Sequence, residues 1–185
     1  KPIGNYFCSN GHKLYHTRKL MNFVQFLDNP PYSIKENGEK SYSTELKEIH
    51  FTEELYRDVA LGIYNSNLFY WYYIVFSDCR NVNKREVANF PFDFVAVDKA
   101  LLESIAFKSK ALMEDLHLNS RLDTRFYKNI GNLKVLTYSP RLSKNAMDEI
   151  DFLIGKAFNL SDEEIKFITD YDVEFRMGND QEVEE

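Results

Sequence analysis

The chain has 185 residues, 44% of them hydrophobic and 15% aromatic, so it can bury a core but is too short for two ordinary domains. A charged fraction of 28% is ordinary for a globular protein and argues against disorder. The two cysteines, Cys8 and Cys79, are too few for a disulfide framework and favour a reducing cytoplasm. The most apolar run, Leu68 to Phe76, is too short to cross a membrane, so we expect no membrane partner.

The formal net charge of -6 hides an uneven distribution along the chain. Residues 1–27 carry four basic side chains and no acidic one, and residues 104–144 carry eight basic against three acidic. Residues 145–185 reverse this balance, with three basic and thirteen acidic side chains. Because a ligand responds to the local field, a chain with a negative net charge can still present a basic face to phosphate groups.

Residues 1–52 predict a β-ribbon. Residues 20–27 and 47–51 are rich in β-forming side chains, and Glu36-Asn37-Gly38-Glu39 between them is a strong turn signal. We therefore expect these two runs to pair with each other across a long polar connection.

Residues 53–118 predict a helical core. Thr52 is suited to cap a helix, since two acidic residues follow it and apolar side chains then recur at helical spacing. Residues 68–76 predict a second helix that is apolar on nearly every face, which favours core packing over base stacking for its aromatic side chains. Pro91 ends regular structure, and a long helix is expected over residues 98–116.

Residues 119–178 predict a second hairpin followed by C-terminal helices. Residues 121–127 and 133–138 are the expected strands, and Asn129-Ile130-Gly131-Asn132 is the turn between them. The Ser-x-x-Glu string that begins at Ser161 predicts a capping box that opens one of the last helices.

Together these elements predict an α+β fold, with small β-ribbons or a mixed sheet packed against a helical cluster and a helix-rich C-terminal half. One domain would span residues 1–178, and the acidic residues 179–185 would form a frayed tail. Cys8, His12 and His16 form a C-x3-H-x3-H string, but a zinc site needs a fourth ligand, and we expect no metal here.

The string Asp28-Asn29-Pro30-Pro31-Tyr32 suggests a catalytic loop. It matches the loop of amino-methyltransferases in which a polar side chain and a proline carbonyl hold the target amino group while the aromatic ring stacks on the flipped base. Such enzymes also hold S-adenosylmethionine, usually through a glycine-rich turn in a doubly wound sheet. The seven glycines here are spread singly, and only 27 residues precede the string. We therefore interpret it as a proline-stiffened loop after a strand and expect no catalytic or cofactor-binding residue in this chain.

Three segments occur together as they do in a known family. The first is an aromatic segment with the loop after it, in residues 64–73, 77–80 and 84–87. The second is the Asn-Phe-Pro-Phe-Asp string of residues 89–93. The third comprises C-terminal helices with a Tyr-Asp-x-x-x-Arg-Met-Gly ending, in residues 148–151, 160–165 and 170–178. On these motifs, residues 14–178 resemble the tail of bacterial type II restriction-modification methylases. That family includes the type IIG enzymes, which join nuclease, N6-adenine methyltransferase and target recognition in one polypeptide.

The resemblance implies a DNA target-recognition domain similar to TaqI-type specificity domains. Because the chain begins at Lys1, we expect it to be a piece of a longer protein whose catalytic motifs lie upstream. The implied partners are double-stranded DNA and the catalytic domain of the same polypeptide, in the bacterial cytoplasm. The parent would use S-adenosylmethionine, and Mg²⁺ if it carries a nuclease, whereas this chain would hold no cofactor and have no activity of its own.

Base reading needs directed donors and acceptors on strands or loops that can enter a groove, whereas phosphate contacts need only accessible cations and hydroxyls. We assign base reading to the N-terminal ribbon and a polar loop, through His16, Arg18, Lys19, Asn22, Gln25, Ser41, Tyr42 and Ser43. We assign phosphate contacts to cations where helices meet loops, namely Arg80, Lys84, Arg85, Arg141 and Lys144.

Local alternatives remain for two of these segments. Arg80 and Arg85 could instead pair with Asp78 and Glu86 and hold their own loop in place. Near the C-terminus, the acidic residues at 170, 172 and 174 alternate as they would in a metal site. The Tyr-Asp-x-x-x-Arg-Met-Gly ending instead favours a structural clasp made by Arg176.

Two other functions are also open. The chain could be a minimal adenine methyltransferase that uses Asn29 to Tyr32, or a docking module whose acidic C-terminal segment binds a partner subunit. Binding of S-adenosylmethionine would distinguish the first, and a lack of salt-dependent DNA binding would favour the second.

Overall fold

Two antiparallel sheets and a cluster of helices make up the computed structural model, which describes residues 1–18 and 22–178. The predicted α+β class is confirmed. The strands are β1 Phe7–Thr17, β2 Phe26–Leu27, β3 Tyr32–Lys35, β4 Lys40–Tyr42, β5 Leu46–Phe51, β6 Ser120–Tyr127 and β7 Gly131–Tyr138. The α-helices are α1 Glu54–Asn65, α2 Asn67–Phe76, α3 Lys84–Asn89, α4 Lys99–Leu118, α5 Lys144–Ala157, α6 Asp162–Asp170 and α7 Val173–Met177. Within the described ranges, no helix is both long and apolar enough to span a membrane.

The first sheet has the strand order β2-β1-β5, so β1 lies at its centre. The predicted pairing of residues 20–27 with residues 47–51 is wrong, because both β2 and β5 pair with β1 instead. Residues 8–13 of β1 are mostly exposed and polar, and they carry a bulge between Phe7 and His12, so the alternating pattern of a strand is missing there. Gly11 lies in this bulge, where a Cβ atom would come within 2.3 Å of the Phe51 carbonyl oxygen.

The second sheet joins the two predicted turns in the order β4-β3-β7-β6. Gly38, with φ of 83°, closes the β3–β4 hairpin, and Gly131, with φ of 85°, closes the β6–β7 hairpin. The Glu36 side chain accepts hydrogen bonds from the backbone and side-chain amides of Asn132 at 3.2 and 3.1 Å, which ties the two turns together. The second hairpin is thus confirmed, whereas the first turn joins strands other than those predicted.

The predicted helices are present, and the structure adds two short ones, α3 and α7, that were not predicted. α2 and α4 begin within a residue of their predicted starts, and the capping box of Ser161 at α6 is confirmed. α1 begins at Glu54, one residue later than a Thr52 cap would place it. The first turns of α2 are buried, whereas Val75 and Phe76 at its end are 50% and 60% exposed. Only part of this helix therefore lies in the core, although the sequence predicted burial on nearly every face.

The Asn65-Ser66-Asn67 segment between α1 and α2 is an anchor for the backbone. The Asn65 side chain bonds both the N–H (3.0 Å) and the carbonyl (2.8 Å) of Phe26, which fixes β2 on the helices. The Ser66 hydroxyl accepts the Phe69 N–H at 3.1 Å and caps α2. In α5, the Asp151 carboxylate accepts the N–H groups of Asn67 and Leu68, each at 3.0 Å, so a residue far along the chain completes the same cap.

Arg176 in α7 completes this buried network. Its Nη1 donates to the Asn67 side-chain oxygen at 2.6 Å and its Nε to the Asn22 carbonyl at 3.0 Å. The guanidinium lies between the rings of Phe23 and Tyr70, 4.4 and 4.0 Å from their centroids. The predicted clasp of Arg176 is confirmed, although an asparagine, a carbonyl and two rings are its partners.

Candidate nucleic-acid interface

A cleft of about 400 Å³ opens between the first sheet and the loop that precedes α3. Its walls come from both ends of β1, from β5, and from the start of α3. The lining residues are Phe7, Cys8, Ser9, His16, Arg18, Lys47, Glu48, Ile49, His50, Val82, Asn83, Lys84 and Val87. Three residues of the predicted interface, His16, Arg18 and Lys84, are therefore brought together.

Backbone and side-chain hydrogen bonds hold the two walls of this cleft against each other. The Val82 N–H donates to the Arg18 carbonyl at 2.8 Å, and the Arg18 guanidinium donates to the Asn83 side-chain oxygen at 3.4 Å. Asn83 also opens α3, where its N–H donates to the buried carboxylate of Glu86 at 3.0 Å. The position of Lys84, the first residue of α3, is therefore fixed relative to Arg18.

The cleft carries an excess of positive charge. Arg18, Lys47 and Lys84 line it, and none of the three forms a salt bridge with a carboxylate in the part of the chain that the structure describes. The acidic residue in the lining, Glu48, lies 3.1 Å from the Lys13 ammonium and 3.2 Å from His50. Hydrogen bonds from His50 and Lys13 lower the pKa of Glu48, so its charge is already balanced by neighbours. The three remaining cations favour an anionic ligand.

His16 forms part of the cleft floor but does not suit the base-reading role predicted for it. It is 5% exposed, and its ring stacks on Phe26 with centroids 4.6 Å apart. Burial lowers the pKa of His16 to about 4, so the imidazole is neutral at physiological pH. Its Nδ1 lies 3.2 Å from the Thr17 carbonyl, which leaves little of the ring to reach a base edge.

The other predicted base-reading residues are divided between two places. Arg18 is exposed at the cleft, Asn22 is exposed next to Phe23, and Gln25 is half-buried before β2. The polar group from Ser41 to Ser43 lies instead at the outer strand of the second sheet, where Tyr42 is 56% exposed. Lys19 lies outside the described residues.

The predicted phosphate contacts also separate into accessible and occupied cations. Lys84 is exposed in the cleft lining, Arg80 is exposed in the loop between α2 and α3, and Arg141 is half-buried after β7. Arg85 lies 2.7 Å from the buried Glu86 carboxylate, so the alternative ion pair is confirmed for this residue. The carboxylate of Asp78 accepts the backbone N–H of Arg80 at 3.1 Å, which leaves the Arg80 guanidinium outside that contact.

Lys144 does not suit the phosphate role. Its side chain is only 12% exposed, and its ammonium bonds the Asp148 carboxylate and, at 3.0 Å, the Thr169 carbonyl. A cation held in this way ties α5 to the end of α6 and cannot turn toward solvent without losing both partners.

Lys47 and Asn83 were not among the predicted contacts. Lys47 follows directly from the β1–β5 pairing, where it lies opposite His16. The polar stretch in β1 conceals that pairing in the sequence. Asn83 had a visible signal, since Asn three residues before Glu is typical of a helix start.

The Asp28-Asn29-Pro30-Pro31-Tyr32 string forms the connection between β2 and β3. Tyr32 already belongs to β3, where it lies opposite Tyr42, and the Lys40 ammonium covers its ring at 4.3 Å from the centroid. Asp28 lies 3.5 Å from His117 Nε2. Among the described residues, no three His, Cys, Asp or Glu side chains are grouped so as to hold a metal ion.

Comparisons of this chain with protein-family models, curated proteins and solved structures gave no match.

Proposed function

We propose that this chain is the DNA sequence-recognition domain of a bacterial restriction-modification adenine methyltransferase, which positions target DNA for methylation or cleavage elsewhere in the parent protein. The observation that carries this proposal is the convergence of Arg18, Lys47 and Lys84 on one cleft. These cations come from three separate segments, the end of β1, β5 and the start of α3, and have no carboxylate partner among the described residues. Phosphate groups are the ligand that such a set favours.

One cation of the cleft can do more than attract charge. Arg18 offers a planar set of donors, of which one reaches the Asn83 oxygen at 3.4 Å. A volume of about 400 Å³ suits a single nucleotide unit rather than the full width of a duplex. We assign phosphate contact to Lys47 and Lys84, and contact with either a phosphate or a base edge to Arg18.

A titration of the whole chain with duplex DNA across a salt series tests the phosphate contacts. Each contact contributes about 0.9 to the slope of log K against log salt, so the variant Arg18→Ala/Lys84→Ala should lose close to two slope units. A matched control is Lys99→Ala/Lys166→Ala, which removes the same charge from side chains that are 81% and 76% exposed on helices outside the cleft. Equal slopes for the two variants would contradict the assignment, and so would wild-type binding that does not respond to salt.

Base reading needs a separate experiment. Selection of duplexes from a random pool by the whole chain should enrich a short sequence, and the Arg18→Ala variant should enrich it less strongly than the Lys84→Ala variant does. A pool without enrichment would contradict sequence recognition while leaving non-specific DNA binding in place.

The alternative of a minimal methyltransferase makes a different prediction. Calorimetry should then show micromolar binding of S-adenosylmethionine to the chain, which the recognition proposal does not expect. The antiparallel pairing throughout both described sheets and the Lys40 ammonium over the Tyr32 ring favour the recognition proposal.

A further inference from the structure

The tip of the β6–β7 hairpin, residues 125–134, exposes large apolar side chains. Phe126 is 74% exposed, Ile130 61% and Tyr127 40%. At its other end the hairpin joins the main core through Tyr138 and Leu136, and residues 133–135 of β7 pair with β3. Residues 126–132 extend past that pairing. Three exposed apolar residues at the end of a projecting hairpin are costly in water, and a contact with another molecule would offset that cost.

The charges around this tip indicate the kind of molecule it meets. Arg125, Lys128 and Lys134 lie within it, with no acidic residue between positions 124 and 138. None of the three cations forms a salt bridge with a carboxylate of the described ranges. The carboxylate that contacts the tip, Glu36, accepts hydrogen bonds from the amides of Asn132. Apolar side chains surrounded by unpaired cations favour a polyanion with apolar surfaces between its charges.

The strand register places Phe126 among groups that suit DNA. Phe126 lies opposite Asn132 and Thr124 lies opposite Lys134, so all four side chains share one face of the hairpin. Past Leu133, where the pairing with β3 ends, the hairpin is two-stranded. A two-stranded ribbon fits a DNA groove, and apolar side chains of this kind can enter between base pairs and unstack them. The aromatic ring would then stack on a base while Lys134 meets the backbone.

We propose that the β6–β7 hairpin enters a groove of duplex DNA and that Phe126, supported by Ile130, wedges into a base step. This inference rests on the proposed function, since it adds a second contact of the same chain with the same ligand. It assigns local distortion of the DNA to the hairpin and charge-driven binding to the cleft.

The test compares Phe126→Ala with Phe107→Ala, a matched control on α4 whose side chain is 70% exposed. The probe is the most tightly bound duplex from the selection, with 2-aminopurine replacing each adenine in turn. Binding of the wild-type chain should raise the fluorescence at one position, because unstacking relieves quenching there. Phe126→Ala should abolish that rise and weaken binding about tenfold with an unchanged salt slope, because it removes the stacking of one ring on a base and no charge. Phe107→Ala should behave as the wild type does.

The outcomes separate this inference from the proposed function. Salt-dependent binding without any fluorescence rise, or with equal effects of the two variants, would overturn the wedge and leave DNA recognition standing. No binding at low salt would overturn both proposals. Concentration-dependent association of the free protein that Phe126→Ala abolishes would show that the tip meets a second copy instead. Since Phe126 is exposed, its variant should retain the circular dichroism and urea midpoint of the wild type.

Discussion

Replacing Arg176 by methionine should strongly destabilise the fold. Arg176 is 3% exposed, and its guanidinium donates two hydrogen bonds, to the Asn67 side chain and the Asn22 carbonyl. Hydrogen bonds from a charged donor contribute about 1.5–3 kcal/mol each, and removing one member of a buried charged network costs about 3–5 kcal/mol. We therefore expect a loss of about 3–5 kcal/mol, a large fraction of the stability of a domain of this size.

The loss should depend on pH through Asp151. Burial raises the pKa of Asp151 to about 6, and the carboxylate bonds the same Asn67 that Arg176 holds. Above that pKa the folded chain contains a buried negative charge that Arg176 helps to balance, whereas below it the carboxyl group is neutral. Arg176→Met should therefore cost more at about pH 8 than at about pH 5.

Urea denaturation followed by circular dichroism measures both effects. Arg80→Met is the matched control, because Arg80 is exposed and its substitution should change the free energy of unfolding by less than about 0.5 kcal/mol. Arg176→Lys should restore only part of the stability, since an ammonium group cannot reproduce the planar set of donors between two rings. A loss below about 1 kcal/mol for Arg176→Met, or a loss independent of pH, would refute this account of the network.

Two further predictions concern His16 and Gly62. Burial lowers the pKa of His16 from 6.5 to about 4, so the unfolded chain takes up a proton that the folded chain does not as the pH falls through this range. That difference removes up to about 3 kcal/mol of stability between about pH 7 and about pH 4, and His16→Phe should flatten this part of the pH profile of the urea midpoint. An unchanged profile would show that the imidazole is accessible to protons in the fold. Gly62→Ala places a Cβ atom 2.3 Å from the Ser109 hydroxyl oxygen, where α1 meets α4. It should cost about 1–3 kcal/mol in urea denaturation, and adding Ser109→Ala should recover most of that loss.

The longer helices were predictable because their signals are local. The Asp98 cap of α4, the capping box at Ser161 and the spacing of the apolar side chains lie within a few residues of the elements they specify. Both glycine turns were recognisable for the same reason. Strand pairing was not, because the polar bulge in β1 hides a strand whose partners lie on either side of a long connection.

The candidate site was predictable in part. Arg18 and Lys84 were chosen from separate segments, and their meeting depends on the backbone bond between Val82 and Arg18, which no local pattern reveals. The errors at His16 and Lys144 have one cause. A sequence shows that a side chain is polar, but only the packing shows that it is already surrounded by the protein's own groups.

The tip of the β6–β7 hairpin has a consequence for how this domain can change. Residues 126–132 extend past Leu133, where the pairing of β7 with β3 ends, and Gly131 sets the turn. Residues near the tip can therefore be lengthened, shortened or replaced at little cost to folding. Natural variants and engineered chimaeras could exchange this tip while β7 keeps its place between β3 and β6, whereas the Arg176 network admits few changes.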